Sequence, residues 1–216
     1  DTHKQILTVQ YRMRRNIGNL ISQVFYEGKI ATEVDDKNRM HPIKKFAGKS
    51  IIWVDTSIMD KKDESRLKGG SYCNYAENNL IKKLLENFKR EGVLSQLDIG
   101  IITGYRGQKD LIRKSVNNSG YDRIAKGIDI NTLDAFQGRE NDVIIYSTVR
   151  TKNSIGFQKE KERVNVAFSR AKNLLIICGD MDFFYRFDDP DNKFIEIIDY
   201  ICEHEDECLI IPGGEI

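Results

Sequence analysis

The 216-residue sequence predicts an α/β domain, with a parallel β-sheet covered by helices on both faces. Two observations predict this class. The candidate strands are almost continuous aliphatic runs, which is typical of strands buried on both faces. Segments with helical periodicity separate these runs, as in proteins where a helix connects each strand to the next parallel one. Since no internal repeat and only three prolines are present, we expect one domain over residues 1–216.

The first elements follow from the spacing of apolar residues. In order, they are a helix after Arg15 that ends near Gly28, an irregular segment (33–49), a strand (51–54) and an exposed loop (61–70). The helix is indicated by apolar residues that recur at intervals of three and four, and the strand by four consecutive apolar residues.

A second helix is predicted to begin at Asn74, because this residue type caps helices and Glu77 follows three positions later. Its apolar residues share one face: Ala76, Leu80, Ile81, Leu84, Leu85 and Phe88. The remaining elements are predicted as strand 99–103, helix 108–116, strand 128–132, strand 143–147, helix 163–172, strand 174–178 and acidic helix 193–204. Residues 181–216 are expected to be a helical extension of the same domain.

Composition excludes little and indicates no partner. The chain has 34 Lys and Arg against 33 Asp and Glu, whereas nucleic-acid-binding proteins are commonly basic. Four cysteines without a C-x-x-C pair favour free thiols in a cytoplasmic protein. No apolar run reaches the roughly 20 residues of a membrane span. We predict no metal site, because Cys202, His204 and Cys208 lack the paired spacing of zinc ligands.

A phosphate-binding loop is missing from the sequence. Gly48-Lys49-Ser50 matches the end of the pattern G-x-x-x-x-G-K-[ST], but Ile43 stands where the pattern requires glycine. A predicted strand follows Ser50, whereas the loop must lead into a helix whose N-terminus faces the phosphates. No strand ends in an acidic pair that could hold magnesium. We therefore expect the isolated chain not to hydrolyse ATP.

Four segments, in this order, resemble the C-terminal motor domain of superfamily 1 helicases, of the branch typified by the nonsense-mediated-decay RNA helicase and its bacterial relatives. They are VQYRM (9–13), IITGYRGQ (101–108), TLDAFQGRENDVII (132–145) and RVNVAFSRAK (163–172). The resemblance is specific over residues 5–29 and 98–180. It implies a RecA-like fold, that of P-loop nucleotide hydrolases, here without its own phosphate loop. The family's first motor domain, which carries that loop, would precede Asp1.

The resemblance implies that ATP binds between the two lobes and that Arg12 and Arg170 complete its triphosphate site. Guanidinium groups suit this role because they neutralise the charge on the transferring phosphoryl group. Further nucleotide contacts are implied at Gln10, Gln137, Gly138, Glu140 and Arg163, with Glu140 accepting from the ribose. Mg²⁺ would be held mainly by the first motor domain.

The predicted helix 163–172 gives independent support for a position at a cleft. Arg163 and Arg170 are seven residues apart and would share one face, at the border of the apolar stripe. The alternative is that both arginines form ordinary surface ion pairs, with Glu160 or Glu162.

Contacts with single-stranded DNA or RNA are implied at Thr103, Tyr105, Arg106, Thr132 and Asp134. The segment 132–140 follows a predicted strand, so we expect it at the carboxyl edge of the sheet, where α/β proteins bind ligands. Asp134 could instead form a turn or a helix cap, and Gln108 could cap the next helix.

Two positions depart from the family pattern. Arg14-Arg15 replaces the usual His-Pro and is expected to add positive charge beside Arg12, and Gly104 replaces proline and loosens a turn. The sequence therefore predicts one lobe of an ATP-dependent helicase or translocase, with movement in the 5′-to-3′ direction expected from the resemblance. A non-catalytic nucleic-acid-binding module is the alternative, and a metal-dependent nuclease is disfavoured because carboxylate clusters are absent.

Overall fold

The computed structural model describes residues 8–136 and 138–216 as one α/β unit. Its elements are β1 (Val9–Gln10), α1 (Arg15–Tyr26), β2 (Ala31–Thr32), β3 (Ile51–Asp55), β4 (Ser65–Arg66), β5 (Tyr72–Cys73), α2 (Tyr75–Arg90), β6 (Asp98–Thr103), α3 (Arg106–Ser119), β7 (Gly127–Thr132), β8 (Asn141–Ser147), α4 (Lys161–Phe168), β9 (Ala171–Gly179), α5 (Met181–Arg186), α6 (Phe194–Glu203) and β10 (Cys208–Pro212). Six strands form the central sheet in the order β10–β3–β9–β8–β6–β7, and all its pairings are parallel.

Helices cover both faces of this sheet, which confirms the predicted fold class. On one face α2 and α3 pack over one apolar core, and on the other α1, α4, α5 and α6 pack over a second. Neighbouring residues of β8 belong to different cores: Ile144 to the second and Ile145 to the first. Both side chains are fully buried. This is why the strands are continuous apolar runs rather than alternating ones.

The predicted helix boundaries of the first half are also confirmed. The side chain of Asn74 accepts a hydrogen bond from the backbone N–H of Glu77 at 3.1 Å and so caps α2. Helix α1 ends at Glu27, whose φ of 54° is left-handed and stops the helix. The residues after Gly48 and Lys49 form β3 rather than a helix, so these residues are not a phosphate loop.

The predicted helix 163–172 is wrong at its C-terminal end. Helix α4 ends at Phe168, and Ala171 already belongs to β9, paired with Asn141 of β8. Ala171 is fully buried, so pairing within the sheet overrides the helical periodicity of the sequence. Arg163 and Arg170 therefore do not share a helix face, and they lie near opposite ends of α4.

Two other expectations are corrected. The segment 61–70 is not simply an exposed loop, because Glu64 is buried and β4 pairs with β5 in a short hairpin. The segment 181–216 is not helical throughout, because it ends in β10, which pairs with β3 at the edge of the sheet. Its apolar run, Leu209 to Ile211, is short, and only pairing along β3 identifies it as a strand.

Two connections on one face run from the carboxyl edge of the sheet to its amino edge. The segment 133–140 leads from the end of β7 to the start of β8, and α4 leads back to the start of β9. They contact each other, and Leu133 and Phe136 anchor the first of them in the same core as α4. Each connection thus has one end at either edge. Within the described residues, no helix is long and apolar enough to cross a membrane.

Candidate functional site

Two arginines from distant parts of the sequence meet at the amino edge of the sheet. The Nε of Arg12 donates to the carboxylate of Glu140 at 2.6 Å, and its Nη1 donates to the carbonyl of Ser169 at 3.3 Å. Ser169 directly precedes Arg170. We call Arg12, Glu140 and Arg170 the arginine cluster.

The electrostatics of the arginine cluster suit an anion. Burial lowers the pKa of Arg170, the charge of Arg12 lowers it further, and Glu140 acts in the opposite direction. The Nε of Arg170 is buried and has no hydrogen-bond partner among residues 8–136 and 138–216. Glu140 pairs with Arg12 and acts on Arg170 only through its charge. An additional anion would relieve the repulsion between the two guanidinium groups and supply the missing acceptor.

The turn that carries Arg12 is held by the side chain of Gln10. Its Oε1 accepts from the backbone N–H groups of Arg12 and Met13 at 2.9 and 2.8 Å, and its Nε2 donates to the hydroxyl of Thr32 at 2.7 Å. Gly18 is required beside it, because a Cβ there would lie 2.6 Å from this Nε2. The amide of Gln10, predicted as a nucleotide contact, is therefore engaged within the protein.

Arg14 does not add a free charge beside Arg12, contrary to expectation. Its side chain is buried, donates to two backbone carbonyls of the segment 48–49, and forms an ion pair with Glu207 at 3.0 Å. Arg15 donates to two backbone carbonyls in and just after β2. Both departures from the family pattern at these positions therefore serve the packing of α1 against the rest of the domain.

A groove of about 410 Å³ lies at the opposite, carboxyl edge of the sheet. We call it the aromatic groove, and its lining residues are Gly70, Ser71, Tyr72, Gly104, Tyr105, Arg106, Thr132, Asp134 and Phe157. The structure thus brings together four of the five residues predicted to contact nucleic acid. Thr103 is the exception, because its side chain is fully buried at the end of β6, inside the sheet.

The walls of the aromatic groove are packed rings, edge to face between Tyr72 and Tyr105 and tilted between Tyr105 and Phe157. The ring centroids of Tyr105 and Tyr72 are 5.7 Å apart, and those of Tyr105 and Phe157 are 5.2 Å apart. Arg150 lies behind them, with its guanidinium 4.4 Å from the centre of the Tyr72 ring. Sequence reasoning missed Tyr72, Arg150 and Phe157, since each lies outside the four matching segments and carries no spacing signal.

Arg163 lies against two residues that line the aromatic groove and is not part of the arginine cluster. It forms ion pairs with Glu160 at 2.9 Å and Asp134 at 3.4 Å, and its guanidinium lies 5.4 Å from the centre of the Phe157 ring. The ion pair with Glu160 is the alternative raised by the sequence. Arg163 occupies the groove end of α4, away from the position expected of a nucleotide contact.

The sequence predicted the segment 132–140 at the carboxyl edge of the sheet, but in the structure it runs from that edge to the amino edge. Thr132 and Asp134 line the groove at the carboxyl edge, but Glu140 directly precedes β8 at the amino edge. Between them Gly138 is exposed and has a φ of +83°, a conformation that favours glycine. Gln137 lies outside the described residues.

The net charge of +1 conceals an uneven distribution. Residues 180–216 contain 12 acidic and 2 basic side chains, whereas the rest of the chain contains 32 basic and 21 acidic ones. Both the arginine cluster and the aromatic groove belong to the basic part, which suits the binding of phosphate groups. The described part of the chain contains no group of three or more His, Cys, Asp or Glu side chains that could hold a metal ion.

The chain is similar to known proteins over most of its length. A family model described as an AAA domain matches residues 1–182. The DNA polymerase alpha-associated DNA helicase A of Saccharomyces cerevisiae is 32% identical over 215 residues, which are 92% of this chain and 30% of that protein. The ATP-dependent helicase upf1 of Schizosaccharomyces pombe is 35% identical over 182 residues, which are 81% of this chain and 19% of that protein.

Among solved structures, the C-terminal domain of a possible DNA helicase from Lactobacillus plantarum covers 79% of this chain and 88% of its own, with 15% identity and a TM-score of 0.46. The chain spans less than a third of the length of either curated relative. The matched residues 1–182 include all four segments that resemble helicase motifs. The chain therefore belongs to the AAA domain family and, within it, to the superfamily 1 helicases similar to upf1.

Proposed function

We propose that the chain is the second motor lobe of an ATP-dependent helicase or translocase, in which Arg12 and Arg170 complete a triphosphate site. The observation that carries this proposal is the arginine cluster. Two guanidinium groups from distant parts of the sequence are held side by side, with one buried Nε that lacks an acceptor in the described structure. Such a site fits a phosphate group better than it fits any side chain it already contains.

In this proposal the phosphate loop and the ligands of Mg²⁺ belong to the first motor domain of the full-length protein. Bound ATP would supply the phosphoryl group, and the two arginines would neutralise charge on its oxygens as the bond to the leaving phosphate breaks. When ATP binds, Glu140 would exchange its ion pair with Arg12 for a hydrogen bond from a ribose hydroxyl. Its ion pair is half-exposed on both sides, so exchanging it costs only about 0–1 kcal/mol.

The aromatic groove would bind single-stranded nucleic acid in the same proposal. Phe157 offers an exposed ring surface on which a base can stack, since every base has a π face, and the buried ring of Tyr105 packs against it. Arg106 is largely exposed at the rim and can contact a phosphate. Closure of the two lobes on ATP and their opening after hydrolysis would then move the strand.

Replacing Arg170 in the full-length protein tests the proposal. We expect Arg170→Ala to lower kcat by roughly 10³–10⁵-fold, because an arginine finger supplies this much stabilisation of the transition state. ATP binding should be retained. Arg186→Ala, which removes an exposed arginine that forms an ion pair with Asp182, is the matched control and should be silent. Unchanged turnover in Arg170→Ala would show that the finger lies elsewhere.

The isolated chain provides a second test. Without a phosphate loop it should show no ATPase activity above background, with or without a single strand. Robust turnover by these 216 residues alone would refute the half-site proposal.

A further inference from the structure

Glu77 is a buried carboxylate that neither proposed site uses. It lies in the first turn of α2, with no exposed surface, and faces the end of β8. Its oxygens accept hydrogen bonds from the hydroxyl of Ser147, from the hydroxyl of Thr148 at 3.0 Å, and from the backbone N–H of Val149 at 2.9 and 3.0 Å. In this arrangement both oxygens of Glu77 act as acceptors, and the backbone N–H of Val149 is the partner that can only donate.

Val149 has a backbone conformation that its residue type disfavours. Its φ is +71°, in the left-handed region, and its side chain is fully buried. A β-branched residue is a clear outlier there and persists only where its surroundings hold it. Two contacts hold its backbone: its N–H donates to both oxygens of Glu77, and its carbonyl accepts from the side-chain amide of Asn74 at 3.2 Å.

The left-handed turn at Val149 determines where Arg150 points. The guanidinium of Arg150 packs on the ring of Tyr72, donates to the hydroxyl of Tyr105 at 3.4 Å, and pairs with Glu64 at 3.3 Å. Arg150 is almost completely buried. It thus forms the back of the aromatic groove and joins two of its three rings. A different φ at Val149 would turn this side chain away from both tyrosines.

We propose that Glu77 is a positioning residue for the aromatic groove. It holds Val149 in the left-handed conformation that presents Arg150 to Tyr72 and Tyr105, and it makes no contact with nucleic acid itself. This inference rests on the proposed binding of a single strand in the groove. It differs from a general contribution of Glu77 to stability, because it depends on the backbone conformation of one residue.

That dependence gives a double-variant test in the full-length protein. The probe is a fluorescein-labelled oligothymidylate or oligouridylate of about ten nucleotides, followed by anisotropy. We expect Glu77→Gln to bind it roughly tenfold more weakly, the effect of losing one ordered stacking surface. Val149→Gly should bind as the wild type does, because glycine adopts this φ without strain. The double variant should return to within about twofold of Val149→Gly.

Glu86→Gln on the same helix is the matched control, since Glu86 is bonded to Tyr121 and lies away from the groove. It should leave affinity unchanged. At saturating strand, the kcat for ATP should be the same in Glu77→Gln and wild type, while the strand concentration for half-maximal activation rises. A loss of global stability alone would not leave kcat unchanged while raising this strand concentration. Val149→Gly would also not reverse a loss of global stability.

Two results would overturn the inference. One is wild-type affinity in a folded Glu77→Gln, and the other is a double variant that binds more than twofold more weakly than Val149→Gly. The second comparison also applies if Glu77→Gln fails to fold alone. If the wild-type protein binds no single strand, the proposed function fails instead. The inference is then decided by hydrogen exchange over residues 147–151, which Glu77→Gln should accelerate and the double variant should restore, and unchanged exchange would overturn it.

Discussion

The arginine cluster and the aromatic groove occupy opposite edges of one sheet and differ in how complete they are. Every wall of the groove comes from this chain, and its back is fixed by a buried ion pair between Arg150 and Glu64. The cluster is open: Arg12 and Glu140 are each about half-exposed, and Arg170 has a buried Nε without an acceptor in the described structure. Substitutions in the aromatic groove should therefore lower the stability of the domain, whereas substitutions in the arginine cluster should lower only catalysis.

The largest expected difference is between Arg12 and Arg163, two arginines that the resemblance assigned to the same nucleotide site. Arg12→Ala should lower kcat by at least a hundredfold in the full-length protein, because it removes charge from the triphosphate site. Arg163→Ala should leave kcat within a few-fold at saturating strand and raise the strand concentration needed for activation. Steady-state ATPase assays over a range of strand concentrations measure both. Equal losses of kcat would remove the distinction between the two edges.

The next largest effect concerns the stability of the groove. Glu64→Gln leaves the charge of Arg150 buried without its partner, and breaking a buried pair in this way costs about 3–5 kcal/mol. We expect the free energy of unfolding in urea to fall by that amount. Arg12→Ala, in the open cluster, should change it by less than about 1 kcal/mol. Comparable stability losses in the two variants would contradict the contrast.

A pH dependence follows from Glu77 behind the groove. Burial raises its pKa to about 7, although hydrogen bonds from Ser147, Val149 and Thr148 lower it, and Asp180 adds a smaller upward effect. The folded state therefore binds this proton more tightly than the unfolded chain does between about pH 4.5 and pH 7. The contribution of Glu77 to the free energy of unfolding falls as the pH rises through this window, by about 3 kcal/mol.

Urea unfolding of the wild type and Glu77→Gln, at about pH 5 and about pH 8, measures this contribution. The stability of the wild type relative to the variant should be lower at the higher pH. Arg12→Ala lies at the opposite edge of the sheet and leaves the surroundings of Glu77 unchanged, so it should show the pH dependence of the wild type. A difference between wild type and Glu77→Gln that stays constant with pH would contradict the raised pKa.

The smallest effect is expected at the exposed rim of the groove. Phe157 is 44% exposed, so Phe157→Ala should disturb the fold little. Loss of one stacking surface should weaken single-strand binding by about 1–3 kcal/mol, which is roughly 5- to 150-fold. Anisotropy with a labelled oligonucleotide measures it, and Tyr185→Ala, at an exposed aromatic on α5, is the control. Equal affinities of the two variants would mean that the strand does not use this wall.

The sequence predicted the sheet because strands buried on both faces leave a strong apolar signal. It failed where pairing, rather than local pattern, decides the structure: Ala171 has helical spacing but joins β9, and β10 has only a short apolar run. For the sites, the matching motifs predicted Arg12 and Arg170, which the structure brings together, and their role in catalysis stays a proposal. The motifs did not separate Arg163 from Arg170, because the helix between them ends at Phe168 and not at Lys172.

The residues that form the aromatic groove were also not predictable from the local sequence pattern. Tyr72 and Phe157 come from two different connections, and only the folded chain places them beside Tyr105. Glu77 satisfied a sequence rule for helix starts, yet its carboxylate faces β8 rather than solvent. The spacing of residues contains no information on the φ of Val149, and that angle is what gives Glu77 its partners.

The position of β10 has a consequence for how this domain assembles. It covers one side of β3, so the hydrogen-bonding groups of Ile51 to Asp55 are paired on both sides only after residues far along the chain arrive. Pairings between such distant segments form late and slow folding. Until then β3 is a bare apolar edge that another molecule can extend, which is a route to aggregation. Shortening the chain before Cys208 should therefore yield protein that associates through β3.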